Sequence, residues 1–292
     1  MPALMPALMD LWSQIFNFGD YGELLYLVRN SIFAGAVLGI VGGLIGTFVV
    51  SRDLAFAVHG ISELSFAGAS AALLLGANVV AGSMVGSIVA ALLIGALGTR
   101  ARERNSIIAV LMPFGLGLGI LFLALYKGRS ANKFGLLTGQ IVSVDDPQLG
   151  LLLIVSVIVI VALLLMWRPL TFASVDAEVA RARGLPVGAI SIGFMLLLGL
   201  AVAVSIQVVG ALLVLSLLVT PAAAAARLTA SPVLLPLLSV GFAVASVVGG
   251  ILLSLGGSLP ISPYVTTISF VIYIVCRIVG NRTKSRRVGS LA

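Results

Sequence analysis

A single cysteine, a single histidine and only ten acidic residues among 292 leave this sequence without the parts from which most soluble enzymes are built. Cys276 has no partner for an internal disulfide and reads as packing filler in the last apolar run. There is no H-E-x-x-H run, no cysteine pair and no Ser/His/Asp set. No G-x-x-x-x-G-K-[ST] loop occurs either, so the chain cannot itself hydrolyse nucleotide by that route. Charged residues make up 9% of the chain, against about 25% in ordinary soluble domains. The segment 1–20 lacks the basic start, compact apolar stretch and small-residue cleavage site of a signal peptide, so the spans themselves are expected to direct insertion.

What is present is apolar. Hydrophobic residues make up 60% of the chain and the mean hydropathy is strongly positive, which is the composition of an integral membrane protein. Runs of about 20 apolar residues, each enough for a helix to cross roughly 30 Å of hydrocarbon, recur to the end. They predict spans at 30–50, 54–75, 79–98, 107–126, 149–166, 188–208, 210–226, 233–255 and 265–279. The expectation is an all-α polytopic bundle of about nine crossings. Eight or ten remain open if one segment is re-entrant or the amino-terminal stretch inserts. One transmembrane domain, 30–280, is flanked by an extracytoplasmic segment, 1–29, and a basic tail, 281–292.

Most of the 17 basic residues fall on one side of this arrangement: Arg52, then Arg100, Arg102 and Arg104, then Arg168, Arg181 and Arg183, then Arg227, and the run from Arg277 onward. The positive-inside rule puts that side and the carboxyl terminus in the cytoplasm, with Asp10, Asp20 and Glu23 outside. The net charge of +7 is thus a topology and membrane-lipid signal rather than a nucleic-acid one. The outward loop 127–148, with Lys127, Arg129 and Lys133, is the exception. Glycine-rich runs such as GAVLGIVGGLIGTF suit close helix packing where lipid supplies no hydrophobic drive. Pro113, with Gly115, Gly117 and Gly119 after it, predicts a kink or break in the fourth span.

One span departs from this pattern. LAFAVHGISELSFAGASAALLLG carries the only histidine, His59, and Glu63, the one acidic residue in the middle of an apolar run. An ionisable group at bilayer depth costs at least about 2.5–3.5 kcal/mol, and it marks a transport path by default. Four residues apart on a helix, the two side chains lie on one face about 6 Å apart along the axis. Imidazole nitrogen and carboxylate oxygen together suit zinc, and suit manganese or ferrous iron when more oxygen is supplied. The competing reading is a purely structural His–Glu pair. Zinc ordinarily takes four donors, which a second copy of the chain across a twofold axis would complete.

Two loops on the basic side stand out. TFASVDAEVARARGLPVG contains Asp176, Glu178, Arg181 and Arg183 on a short amphipathic helix that ends at Gly184, with Pro186 beyond. TPAAAAARLTASPVLLP leaves a knob between Arg227 and Pro232 suited to docking a partner.

Together with AVSIQVVGALLVLSLLVTPAAAAARL and SLPISPYVTTISFVIYIV, these stretches resemble the permease subunits of ABC importers for zinc, manganese and iron. The resemblance runs from about 28 to 279. It implies a cobalamin-importer-like, type II importer fold in a bacterial cell (inner) membrane. It also implies a permease homodimer, two cytoplasmic ATPase subunits and an extracytoplasmic metal-binding protein. His59 stands where the family has an aspartate and Glu63 where it has a histidine, so the pair is reversed and the spacing kept. By the same resemblance Asp176, Glu178, Arg181, Gly184 and Arg227 lie at the ATPase contact. The metal is a passing cargo, zinc set slightly ahead of manganese, and no permanent cofactor is expected. The alternatives are an organic cargo such as a metal chelate on the same architecture, or an ATP-independent carrier that uses Glu63 as its proton site.

Overall fold

The computed structural model describes residues 21–97, 101–128, 144–256 and 261–289, and every regular element among them is helical. A short α1 (Tyr21–Leu27) leads into α2 (Arg29–Ser51), α3 (Ala55–Leu74), α4 (Val79–Leu97) and α5 (Ala101–Leu125). Then come α6 (Asp146–Val175), the six-residue α7 (Ala177–Ala182) and α8 (Val187–Val209). A 3-10 turn (Ala211–Leu213), α9 (Val214–Leu218) and α10 (Thr220–Leu228) precede α11 (Leu234–Ser254) and α12 (Ile261–Gly289). Eight of these helices are long and apolar enough to cross a membrane.

The bundle is organised by glycine seams. In α2, Gly35 faces Val247 and Ile251, Gly39 faces Val244, and Gly43 faces Val240, so α2 and α11 run antiparallel in backbone contact. A Cβ on Gly43 would lie 2.5 Å from the Val240 Cα, which leaves no room for any side chain. The Ser239 hydroxyl closes the same seam by donating to the Gly43 carbonyl at 2.8 Å. A second seam joins α3 to α4, where Gly68 and Gly82 approach each other's carbonyls and Gly86 meets Leu64. Van der Waals fit has to hold these helices together, because lipid tails compete equally for any apolar side chain. The α2, α3 and α8 spans are buried over most of their length, whereas α4, α5, α6 and α12 turn apolar side chains such as Val85, Val110, Leu165 and Phe270 outward.

The segment 210–226 is not one helix. Gly210 takes φ 84° and ψ 157°, a backbone state open in practice only to glycine, and ends α8. The chain then restarts three times, the last at Thr220 with Pro221 in the first turn of α10. The remaining eight predicted spans all form. Pro113 does not interrupt α5, which is continuous from Ala101 to Leu125. Gly115 and Gly119 bring that helix hard against Leu64 and Phe66 of α3, and neighbouring helices can sustain a proline in a span this way. The helices α5, α6 and α12 all outrun the predicted spans, and Asp145 and Asp146 form the start of α6. Of the outward loop, 129–143 lies outside the described residues, as do 1–20 of the amino-terminal segment and 290–292 of the tail.

Candidate functional site

His59 and Glu63 sit on the second and third turns of α3, the helix packed between α4, α5 and α8. Glu63 is buried, with its side chain 8% exposed, while the His59 side chain is 33% exposed. Glu63 is thus buried and His59 partly exposed. Their facing atoms, His59 Nε2 and Glu63 Oε1, are 3.7 Å apart, too far for a hydrogen bond. Two ligands each about 2.1 Å from one ion are about 3.4 Å apart at the tetrahedral angle and about 3.0 Å apart at a right angle. A small rotamer shift would close this gap on a cation. The other imidazole nitrogen, Nδ1, is buried without a hydrogen-bond partner.

The surroundings are hydroxyl-rich. Ser62 donates to the Ala211 carbonyl at 3.1 Å, which ties the middle of α3 to the 3-10 turn after Gly210. Ser65 and Ser83 share a hydrogen bond of 2.8 Å between α3 and α4. Ser70, seven residues beyond Glu63 and so on the same helix face, is fully buried with no partner for its hydroxyl. Helix interruption at this depth also leaves main-chain carbonyls outside a regular ladder, the arrangement by which membrane transporters expose oxygen donors. Among the described residues no three His, Cys, Asp or Glu side chains form a metal cluster.

Of the remaining predicted residues, Arg181 lines a cavity at the opposite end of α3 from Ser70, where the α2–α3 turn, the start of α5 and the first turns of α8 meet. Asp176 caps α7: its Oδ1 accepts from the N–H of Glu178 at 3.0 Å and of Val179 at 2.9 Å. Gly184, at φ 83°, ends the same helix in a Schellman arrangement, with Leu185 N–H reaching the Ala180 carbonyl and Gly184 N–H the Arg181 carbonyl. Ala180 is buried against Ala173 of α6 and Val187 of α8, which seats α7 as a fixed knob with Glu178 and Arg181 exposed on it. Asp176 and Gly184 thus shape the knob, and Glu178 and Arg181 are presented by it. Arg227, exposed in the last turn of α10, donates to the Tyr273 hydroxyl at 3.3 Å and lies 5.9 Å from that ring's centre. The α10 knob and the α7 knob are therefore separate features on the basic end.

The caps make a measurable prediction. Gly184→Val is expected to cost about 1–3 kcal/mol locally, because a β-branched residue strains at positive φ, and Asp176→Ala about 1 kcal/mol. Hydrogen exchange should then show α7 amides opening faster while those of α2 stay protected. Equal protection in the variants would remove the capping role.

Comparison with known proteins places the chain. The model of the family described as "ABC 3 transport family" matches residues 25–280. The manganese transport system membrane protein MntC of Halalkalibacterium halodurans is 30% identical over 240 residues, covering 82% of each chain. The manganese import system permease protein ScaB of Streptococcus parasanguinis is 28% identical over 212 residues, covering 72% of this chain and 75% of its own. The solved structure titled "PsaBC from Streptococcus pneumoniae in complex with Fab" superposes with a TM-score of 0.79 at 24% identity, over 89% of this chain and 95% of that one. With its multi-span helical fold and a match to the family model across nearly its whole length, the chain belongs to the ABC 3 transport family and is a membrane-spanning permease subunit.

Proposed function

We propose that this permease carries a divalent transition metal through an ATP-driven importer, with manganese set ahead of zinc. The observation that carries the reading is the His59–Glu63 pair: one imidazole and one carboxylate, 3.7 Å apart, on a mostly buried span with no hydrogen bond between them. A structural pair would be expected to close its hydrogen bond. A cargo site has to let its ion go, and sparse, incompletely engaged ligands serve release better than a closed cage. Two points favour manganese. The donors near the pair are oxygens, from Ser62 and the interrupted backbone after Gly210, and oxygen-rich sets suit manganese better than zinc. The relatives described above are also named for manganese.

In this reading two copies of the chain face each other so that the half-exposed His59 of each lines a shared path. Two ATPase subunits engage the basic end, at the α7 knob and around Arg227, and a binding protein delivers the metal from the other side. Closing of the ATPases on ATP switches the cavity from outward to inward facing. The positive-inside rule makes the end carrying Arg52, Arg104, Arg181 and Arg227 cytoplasmic. Membership in an ABC family argues against the ATP-independent carrier.

Isotope uptake tests the cargo. Cells dependent on this chain should accumulate labelled manganese in an ATP-dependent way, with excess zinc competing weakly. Zinc uptake that manganese fails to inhibit would overturn the preference. Both ligands bind metal only when unprotonated, so protons compete with the ion, and uptake should fall as the outer pH is lowered from about 7.5 to about 5.5.

A further inference from the structure

At the basic end, Arg52, Arg104 and Arg181 line one cavity of about 260 Å³, floored by the first turns of α8 at Val187, Gly188 and Ser191. The space is several times the roughly 30 Å³ of a water molecule. Arg52 reaches across it to donate from Nη2 to the Ser191 hydroxyl and lies 5.8 Å from the centre of the Phe194 ring. Its Nη1, and Nε of Arg104, are buried with no hydrogen-bond partner. No acidic side chain lines the cavity among the described residues. Asp53, in the α2–α3 turn, acts electrostatically on Arg104 but leaves both nitrogens unbonded. Burial, and after it the charge of Arg104, holds Arg52 below the ordinary arginine value, so two cations sit close together and partly out of water at a cost. An arginine stays charged under these conditions, so the cost is relieved by an anion and not by deprotonation.

A second feature points the same way. The helix α8 has 23 residues, its amino-terminal turn opens on the cavity, and its N-cap residue Pro186 makes no side-chain cap. Unfilled N–H groups and the positive end of the helix dipole there attract negative charge. We propose that this cavity binds a phosphate-type oxyanion, supplied either by the headgroup of an anionic phospholipid or by free phosphate. Guanidinium forks match phosphate oxygens in geometry as well as charge. The cavity lies where the apolar stretches of α4, α5 and α8 end or begin, the depth at which headgroups lie and at which basic clefts between spans collect them. A phosphate bound there would link the α2–α3 turn, α5, the α7 knob and α8 through one shared anion.

The full-length chain in neutral detergent, titrated with short-chain phosphatidylglycerol, phosphatidylcholine and inorganic phosphate, tests this by native mass spectrometry and by the shift in Tm. Saturable binding of phosphatidylglycerol or of phosphate, weakened about tenfold or more in both Arg104→Gln and Arg181→Gln, is expected. Arg181 is exposed and outside the packed core, so its variant folds even if a variant at Arg104 does not. Phosphatidylglycerol binding without phosphate binding assigns the site to lipid, and comparable binding of phosphate assigns it to the free ion. Absence of saturable binding to the unaltered chain, or equal affinity in the variants, overturns the proposal. Unchanged anion binding with loss of a copurifying ATPase also overturns it, in favour of a protein contact.

Discussion

Replacing Glu63 with glutamine is expected to reduce manganese uptake at least tenfold while the protein still accumulates and folds. The two side chains have nearly the same volume, so the packing around a residue that is 6% exposed is kept. The change removes a charge from membrane depth, which lowers the cost of insertion instead of raising it. What it takes away is the carboxylate that lies beside His59 among the described residues. Loss of a group that merely orients a ligand costs about 10–100-fold in metal affinity, and loss of a ligand itself costs no less. His59→Ala should give a similar defect. The double change His59→Asp with Glu63→His keeps one acid and one imidazole at the same spacing, in the order of the resembled family, and should retain uptake that neither single change allows. Uptake of manganese by the Glu63→Gln and His59→Ala variants at the unaltered rate, at matched protein level, would end the assignment.

Gly43→Leu should abolish the folded protein. Its new side chain would have to occupy the space of the Val240 backbone, because a Cβ alone lies 2.5 Å from that Cα. A flexible side chain can swing away, but a helix axis cannot without opening the seam and breaking the Ser239 hydrogen bond to Gly43. Overpacking a well-filled core typically costs about 1–3 kcal/mol, and a leucine against main chain lies at or above the top of that range. Gly241→Leu, on α11 but with nothing within 4 Å of its Cβ position, is the matched control. Size-exclusion profiles of fluorescently tagged variants should show aggregation for Gly43→Leu and a normal peak for Gly241→Leu. Two normal peaks would mean that the seam yields.

The two outcomes separate what can be read from the chain and what cannot. Glu63 and His59 were legible because each is chemically alone in its surroundings: a charge in an apolar run is visible without any coordinates. The span at 79–98 was legible from its unbroken apolar run, and α4 fills Val79–Leu97. The interruption after α8 was not. The stretch 210–226 is as apolar as its neighbours, and hydropathy carries no information about backbone torsion. Gly210 is one of 33 glycines, most of which serve close packing or nothing specific. Pro221 was the available signal, since proline in a first turn marks a helix start. Pro113 shows why that signal was weak on its own, as α5 runs through it. The arginine cavity was hidden for another reason. Arg52, Arg104 and Arg181 were recognised singly as topology markers, but only the folded chain, in which the end of α2, the start of α5, α7 and the start of α8 meet, brings residues so far apart in sequence to one wall.

The glycine seams also limit how such a molecule can move. Helices that touch main chain to main chain have no side-chain cushion to deform, so sliding one past the other would force atoms through each other. The α2–α11 pair, and likewise α3 with α4, must each travel as a stiff plate. Gly42 and Gly46 hold Leu217 and Leu218 against α2 as well, so relative motion is left to the joint at Gly210 and the 3-10 turn Ala211–Leu213 that follows it. Because the Ser62 hydroxyl grips that stretch one residue from Glu63, any swing of the plates is felt at the proposed ligand pair.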